Sequence, residues 1–119
     1  MLYMTVYEKG DVVLVPFPFS NRTTAKKRPA VIISSNAYNE ISADIIIMAI
    51  TSQTAKTTGT VECLIQDWQN AGLLKPSAIK AAISTIEQAL VLKKLGKLSR
   101  QDLTSMDTVL EELLDLKAK

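Results

Sequence analysis

Three short apolar segments near the start of the chain constrain the fold most strongly. They are DVVLV at Asp11–Val15, PAVIISS at Pro29–Ser35 and DIIIMAI at Asp44–Ile50. Each is rich in β-branched or other apolar residues and is too short for a helix of ordinary length, so each is predicted to be a buried strand. Pro16 and Pro18 follow the first segment and lack the backbone N–H that a strand donates, so this strand is predicted to end or to become an edge there.

The second half of the chain carries weaker strand patterns. Thr60–Ile65 is predicted to be a fourth strand, and it follows a polar loop that ends at Gly59. Leu74–Ala82 and Ser84–Leu90 are predicted to be further strands. The polar segment Asn36–Ser42, between the second and third strands, is predicted to be a connection with one helical turn.

One helix is indicated near the end of the chain. Ser99 and Asp102 resemble a capping box, with Asp where Glu or Gln is usual. An apolar stripe with helical spacing follows, formed by Leu103, Met106, Leu110 and Leu113. Lys117 and Lys119 come next, where positive charge stabilises the negative end of a helix dipole. The stripe is expected to contact the core or a second copy of the chain.

Together these elements predict a mostly β protein with some α structure. Five or more short strands and one terminal helix favour a small, strongly curved sheet or barrel, with the helix covering one side or end. The chain has 119 residues, which is short for two domains, and its 47% hydrophobic content is sufficient for a core. We therefore expect residues 1–119 to form a single domain.

The residue types that the sequence lacks narrow the possible chemistry. There is no histidine, and Cys63 is the single cysteine. Ser-His-Asp and Cys-His catalysis are therefore excluded, and no metal site or cofactor is expected. Acid–base chemistry would have to use carboxylates, Arg, Lys, Tyr or groups of the substrate.

The sequence also indicates a cytoplasmic protein. The N-terminal stretch MLYMTVYEKGD lacks the basic and apolar regions of a signal peptide. The longest apolar run, Ile45–Ile50, is far too short to span a bilayer, so no membrane association is expected. A single cysteine forms no disulfide within the chain.

Positive and negative charges are segregated along the chain. The net charge is only +2, but all charged residues between Asp11 and Glu40 are basic, as are those between Glu87 and Asp102. Segregated charge creates local positive fields. The cations KKR at 26–28 stand at the start of a predicted buried strand, where their charge is costly unless an anion or a carboxylate pairs with them. The last helix is acidic, with Asp102, Asp107, Glu111, Glu112 and Asp115.

Several segments, in their order and spacing, resemble the PemK/MazF family of bacterial toxins. They are GDVVLVPFPFS, KKRPAVIISS, ADIIIMAITSQ, WQNAGLLKPS and LVLKKLGKLS, and the resemblance runs from about Glu8 to about Leu114. It implies a homodimer of SH3-like β-barrels, each with a C-terminal α-helix, that cuts single-stranded mRNA at short sequences without metal. It also implies a cognate antitoxin whose disordered acidic tail occupies the RNA groove.

The resemblance assigns the reaction to Arg28, just before Pro29, and to Thr51, just after the third strand. Cleavage of RNA by its own 2′-hydroxyl needs no external nucleophile, so the protein must hold the phosphate in line and stabilise its equatorial oxygens. The guanidinium fork of Arg28 suits two such oxygens, and the hydroxyl of Thr51 adds one donor. Neighbouring strands lie about 5 Å apart, so both side chains could reach one phosphate.

Five further residues near these two positions are predicted to contact RNA. Lys26 and Lys27 would bind backbone phosphates, which raises affinity without reading sequence. Ser20, Ser52 and Gln53 follow the first and third strands, where contacts to a phosphate or a base edge are expected. The shape of these loops would set the cleavage sequence.

The two catalytic assignments and the aromatic residues have structural alternatives. Arg28 could pair with Asp44 or Glu40 at the surface, and the hydroxyl of Thr51 could close a turn. Trp68 is expected to cover the core rather than to stack on a base.

Two further groups are given structural roles. Phe17 and Phe19 are expected in dimer packing rather than in base stacking. The lysines of the later basic segment are expected to form a solvated face, namely Lys93, Lys94 and Lys97.

The group that removes the 2′-hydroxyl proton is left open. The candidates are Asp11, Glu40, Asp44 and Glu87. Lys80–Ala82 stands where some family members have Arg and Asp. Activation of the hydroxyl by Arg28, with water taking the proton, is a further option.

Two non-enzymatic functions are compatible with the same barrel. One is a toxin that poisons DNA gyrase through C-terminal residues, and the other is a module that binds RNA without cutting it. The presence of Arg28 and Thr51 counts against the gyrase poison.

Overall fold

Six strands pair into one curled antiparallel sheet. The computed structural model describes residues 6–17, 26–54 and 62–116. The strands are β1 (Asp11–Phe17), β2 (Lys26–Ile32), β3 (Asp44–Thr51), β4 (Glu62–Leu64), β5 (Ala78–Glu87) and β6 (Lys93–Lys97). They lie in the order β4-β5-β3-β2-β1-β6, with each neighbouring pair antiparallel. The sheet forms a half-barrel, which confirms the predicted fold class.

Helical segments connect or follow these strands. They are α1 (Asn36–Ile41), a 3₁₀ turn (Gln88–Leu90) and α2 (Arg100–Leu114). The hydroxyl of Ser35 accepts a hydrogen bond from the Tyr38 N–H, and the hydroxyl of Ser99 accepts one from the Asp102 N–H at 3.2 Å. Both helices therefore begin at a capping serine, as the sequence predicted for α2. Among the described residues, no helix has the length and apolar character that crossing a membrane requires.

The carboxylate of Asp102 joins α2 to the turn after β4. It is fully buried and accepts hydrogen bonds from the N–H groups of Gln66 and Asp67, each at 2.9 Å. In a complete capping box this side chain would instead return to the N–H of Ser99. The predicted cap is therefore present, but the acidic residue holds a distant turn against the helix.

The first two strands have different ends from those predicted. β1 continues through Pro16 to Phe17, and β2 begins at Lys26 rather than at Pro29. Proline is tolerated in β1 because β6 pairs with β1 only as far as Leu14, which leaves β1 at the edge of the sheet beyond that residue. Of the two outcomes predicted at Pro16, an end or an edge, the edge is observed. The three basic residues lie within β2.

The strands of the second half differ more. β5 is one strand of 10 residues where two were predicted, and β6 was not predicted as a strand. β6 pairs with β1, and its lysines lie near a buried carboxylate of that strand: Oδ1 of Asp11 lies 3.3 Å from Nζ of Lys94 and 3.9 Å from Nζ of Lys97. These two lysines are paired, half-exposed strand residues rather than part of a freely solvated face.

Apolar residues pack on both faces of the sheet. Successive residues of a strand point to opposite faces, so Val12 and Val13 belong to different clusters. The first cluster packs against Met106 and Leu110 of α2, and the helix therefore covers one face, as predicted. The second cluster consists of Val13, Val15, Ala30, Ile32, Ile45, Ile47 and Ile86.

The turn before β5 lies directly against β6. Gly72 has φ of +82°, and a Cβ atom there would lie 2.0 Å from the carbonyl oxygen of Leu95. A Cβ atom on Gly96 would lie 2.5 Å from the carbonyl carbon of Ala71. Glycine at both positions allows the two backbones to touch, which fixes the position of residues 72–75.

Candidate active site

A groove lies at one end of the sheet. Because neighbouring strands are antiparallel, β1 and β3 end where β2 and β5 begin. The groove has a volume of about 1060 Å³ and is lined by these strand ends, by residues 72–75 and by the start of β6. Side chains that are far apart in the sequence therefore meet there.

Arg28 and Thr51 face each other across β2 and β3. The register of these strands pairs Ala30 with Ala49. Continued by two residues in the antiparallel direction, it places Arg28 opposite Thr51. Directly opposite residues point to the same face of a sheet, with Cβ atoms about 4.5–5.5 Å apart. Both side chains line the groove.

The charge of Arg28 has no protein partner in the part of the chain that the structure describes. The residue is exposed, and no ion pair within residues 6–17, 26–54 and 62–116 involves it. Asp44 lies at the other end of β3, opposite Glu87, and Glu40 lies on α1. The alternative ion pairs of Arg28 are therefore not formed, and its guanidinium is available to an anion.

Among the described residues, the hydroxyl of Thr51 has one hydrogen-bond partner, from which it accepts. The N–H of Gln53 donates to Oγ1 of Thr51 at 3.1 Å, so the turn-closing role considered for this residue is observed. A hydroxyl has one proton and two lone pairs, so accepting this bond leaves the proton for a second partner. The same turn places Ser52 and Gln53 at the groove, where both are exposed.

The groove is strongly cationic. Its described lining includes no carboxylate. A low-dielectric cleft lined by one sign of charge concentrates its field and attracts polyanions. The basic residues that line it are Lys26, Arg28, Lys75, Lys80 and Lys93.

A family model matches most of the chain. It is described as the PemK-like, MazF-like toxin of type II toxin-antitoxin systems, and it matches residues 8–114. The chain belongs to this family. The match confirms the resemblance seen in the sequence. The matched range includes all the residues that line the groove. A comparison with curated proteins found no match.

Solved structures share the fold of this PemK/MazF-like toxin. An endoribonuclease in complex with its cognate antitoxin, from a mycobacterial species, has a TM-score of 0.74 and 20% identity, over 98% of this chain and 100% of that chain. An endoribonuclease from a mycobacterial species has a TM-score of 0.76 and 19% identity, over 99% of this chain and 100% of that chain. A MazE-MazF crystal structure from Deinococcus radiodurans has a TM-score of 0.74 and 18% identity, over 93% of this chain and 98% of that chain. At this identity the likeness shows a common fold.

The groove of this toxin brings together five of the seven predicted site residues. Lys27 lies between Lys26 and Arg28 on β2, so its side chain points to the opposite face of the sheet, and it does not line the groove. Ser20 lies outside the described residues. The five that line the groove are Lys26, Arg28, Thr51, Ser52 and Gln53.

Three lysines of the toxin's groove were not predicted as site residues. Lys75 and Lys93 lie in segments that carried the family resemblance, WQNAGLLKPS and LVLKKLGKLS, so a signal for them was present. Lys80 lies in the stretch where some family members have Arg and Asp, but it was not predicted as a site residue. Its place in the groove depends on how β5 pairs with β3, which the local sequence does not specify.

The four carboxylates considered as general bases do not line the groove. Asp44 and Glu87 oppose each other at the end of β3 away from Thr51, and Glu40 lies on α1. Asp11 is fully buried next to lysines of β6. These positions do not fit a group that takes a proton from a substrate beside Thr51.

The remaining residues with predicted roles have structural contacts. Trp68 is half-buried and packs against the core cluster that contacts α2, as expected. Phe17 lines the groove, and Phe19 lies outside the described residues. Burial, with a smaller effect of the Asp102 carboxylate, raises the pKa of the Cys63 thiol, so this thiol is not an activated nucleophile.

Proposed function

We propose that this toxin is a metal-independent, sequence-specific endoribonuclease that cleaves single-stranded mRNA through attack by the 2′-hydroxyl of the RNA. The observation that carries the proposal is that Arg28 and Thr51, on neighbouring strands, line the same groove, whose described lining is basic and free of carboxylates. Such a groove suits an anionic polymer that brings its own nucleophile.

In the proposed reaction the protein stabilises charge on one phosphate. The 2′-oxygen forms a bond to phosphorus and the bond to the 5′-oxygen breaks. The fork of Arg28 donates two parallel hydrogen bonds to the equatorial oxygens, and Thr51 donates its free proton to the same phosphate. The products are a 2′,3′-cyclic phosphate, which water opens to a 3′-phosphate, and a 5′-hydroxyl.

No described carboxylate is in place to take the proton from the 2′-hydroxyl. The proposal therefore assigns this proton to solvent water, with the hydroxyl activated by the positive charge of Arg28. A carboxylate base of the kind considered from the sequence has no part in it.

The other groove residues bind the RNA on either side of the scissile phosphate. Lys26, Lys75 and Lys93 contact backbone phosphates, and each contact adds about 0.7 to the slope of log affinity against log salt for a single strand. Ser52 and Gln53 contact a phosphate or a base edge from the turn that follows β3. Base preference then depends on this turn and on the wall at residues 73–75.

The proposal also covers location and partners. The chain would form one toxin domain that acts in the cytoplasm, where mRNA is found. The basic groove would bind the acidic tail of a cognate antitoxin in place of RNA. A separate groove, of about 640 Å³ and largely apolar, lies between α2 and the sheet. It includes Ile83 and Leu114, which are 40% and 48% exposed. A second copy of the chain would bury such a surface, and sedimentation of the purified toxin tests for the homodimer.

One assay separates this proposal from the non-catalytic alternatives. Purified toxin is incubated with a long single-stranded RNA in EDTA, and the cut ends are mapped. Cuts at a short recurring sequence with 5′-hydroxyl ends are expected. Intact RNA together with inhibited DNA gyrase would indicate the gyrase poison, and intact RNA that is merely retarded on a gel would indicate an RNA-binding module. Arg28→Ala is the matched inactive variant.

A further inference from the structure

Lys80 lies on the third strand that reaches the candidate phosphate site. The register pairs Thr51 of β3 with Ala78 of β5. Lys80 is two residues further along β5, so its side chain points to the same face as that of Thr51. Diagonal neighbours of this kind lie about 7–8 Å apart, a distance that a lysine side chain spans.

An irregularity in the sheet occurs at this position. Met48 pairs with Ile83, whereas Ile50 pairs with Ile79, so residues 80–82 of β5 stand opposite the single residue Ala49. Bulges of this kind redirect side chains and are enriched beside active sites. On the other side of β5, Glu62 of β4 pairs with Lys80 and keeps this part of the strand in regular register.

The ammonium of Lys80 is exposed and lines the groove. No ion pair with a side chain of residues 6–17, 26–54 or 63–116 involves it. Arg28, Thr51 and Lys80 thus lie on three adjacent strands, with Thr51 in the middle. A phosphate held at Thr51 would have Arg28 on one side and Lys80 on the other.

We propose that Lys80 is a catalytic residue, which donates a proton to the departing 5′-oxygen of the RNA; this rests on the proposed function. The guanidinium of Arg28 does not give up its proton in proteins, and an aliphatic hydroxyl such as that of Thr51 is a very weak acid. An ammonium carries a proton at neutral pH and belongs to the groups that act as general acids.

The other lysines of the groove are less well placed for this step. Lys26 lies two residues before Arg28 on the far side of the site from β5. Lys75 lies in the turn before β5, and Lys93 lies on β6, which β2 and β1 separate from β3. Lys80 is thus the described groove lysine on β5, the strand that pairs with β3 on the side away from Arg28.

The step is balanced by protons from the enzyme and the solvent. The 2′-oxygen bonds to phosphorus and its proton passes to water. The bond from phosphorus to the 5′-oxygen breaks, and its electron pair takes the proton of the Lys80 ammonium to give the 5′-hydroxyl. The neutral amine regains a proton from water before the next turnover.

The test compares two oligonucleotides that contain the mapped cleavage site. One has the natural 5′-oxygen at the scissile bond, and the other has sulfur there, because a thiolate leaves without needing a proton. Lys80→Gln is expected to lower kcat on the oxygen substrate by roughly 100-fold or more, and to cleave the sulfur substrate at close to the wild-type rate. Lys80→Arg keeps the charge and is expected not to restore the oxygen rate.

Two controls make the outcome specific. Arg28→Ala is expected to lose activity on both substrates, because stabilisation of the equatorial oxygens is needed with either leaving group. Arg100→Gln changes an exposed cation on α2 outside the groove and is expected to leave both rates unchanged. Thermal melting of each variant separates a catalytic loss from unfolding.

Each other outcome overturns the assignment. Equal losses of Lys80→Gln on both substrates, or rescue by Lys80→Arg, would make Lys80 a phosphate contact rather than an acid. A wild-type rate of Lys80→Gln on the oxygen substrate would remove it from the reaction while the proposed function stands. A wild-type protein that cuts neither substrate nor any long RNA would overturn the proposed function as well.

Discussion

Replacement of Arg28 by alanine is expected to remove most of the RNA cleavage while the protein stays folded. The side chain is exposed at the groove, and its charge has no ion-pair partner among the described residues. Its removal therefore leaves no buried group without a partner. Surface changes of this kind alter the free energy of unfolding by about 0.5 kcal/mol or less.

The expected loss of rate follows from the geometry of the fork. Arg28 lies opposite Thr51, so its two parallel N–H groups can reach two equatorial oxygens of one phosphate. Losing one well-placed donor typically costs about 10² to 10³ in rate, which corresponds to about 2.7–4 kcal/mol of transition-state stabilisation. Arg28→Ala removes both donors, so a factor of about 10² is the lower limit. Arg28→Lys keeps the charge without the fork, so its cleavage rate should lie between those of the wild type and Arg28→Ala.

The assay is single-turnover cleavage of an RNA that carries the mapped site, with the toxin in excess, followed on denaturing gels. Thermal melting of the same samples reports on folding. A variant Arg28→Ala that cleaves at the wild-type rate would refute the role of the guanidinium. A variant that is inactive and also melts well below the wild type would indicate a structural role, and the reasoning from an unpaired surface cation would fail.

Two further predictions concern stability. Asp102→Ala leaves the part-buried N–H groups of Gln66 and Asp67 without their acceptor. The variant should lose about 1–3 kcal/mol in urea unfolding, the cost of leaving a donor unpaired. A loss under about 0.5 kcal/mol, the range of neutral surface changes, would contradict this anchor. A hydrogen bond from Lys97 lowers the pKa of the Glu8 carboxyl, so the stabilisation is present above the unfolded pKa of about 4.3 and is lost as the pH falls through the lower folded value. The melting temperature of Glu8→Gln should therefore lie below that of the wild type at neutral pH and meet it in acid; a gap that persists in acid would rule out this ion pair as its cause.

The sequence predicted the first three strands well because each is a continuous apolar run bounded by polar residues. It failed at β6, since KKLGK has the composition of an exposed loop. This strand forms by pairing with β1, whose Asp11, more than eighty residues away in the sequence, forms ion pairs with Lys94 and Lys97. A charge that is neutralised across the sheet is not visible in a local pattern.

The site shows the same division between local and long-range information. Arg28 and Thr51 were identified by family resemblance, and the register of β2 and β3 then brought them together. Lys80 was not identified, because β5 was taken as two strands and the bulge that directs this side chain to the groove arises from pairing with β3. The carboxylates could not be ranked from the sequence, since their distance from Thr51 depends on strand direction.

The contact between Gly72 and Gly96 has a consequence for how cleavage preference can diverge among related toxins. The backbone just before this wall lies against β6, and Leu73 is buried in the core, so the side chains of Leu74 and Lys75 are not what keeps the wall in place. Leu74 is 94% exposed and contributes little to the packing of the fold. Mutation can therefore rewrite the surface that meets the bases while the scaffold below it stays intact, provided that both glycines are retained.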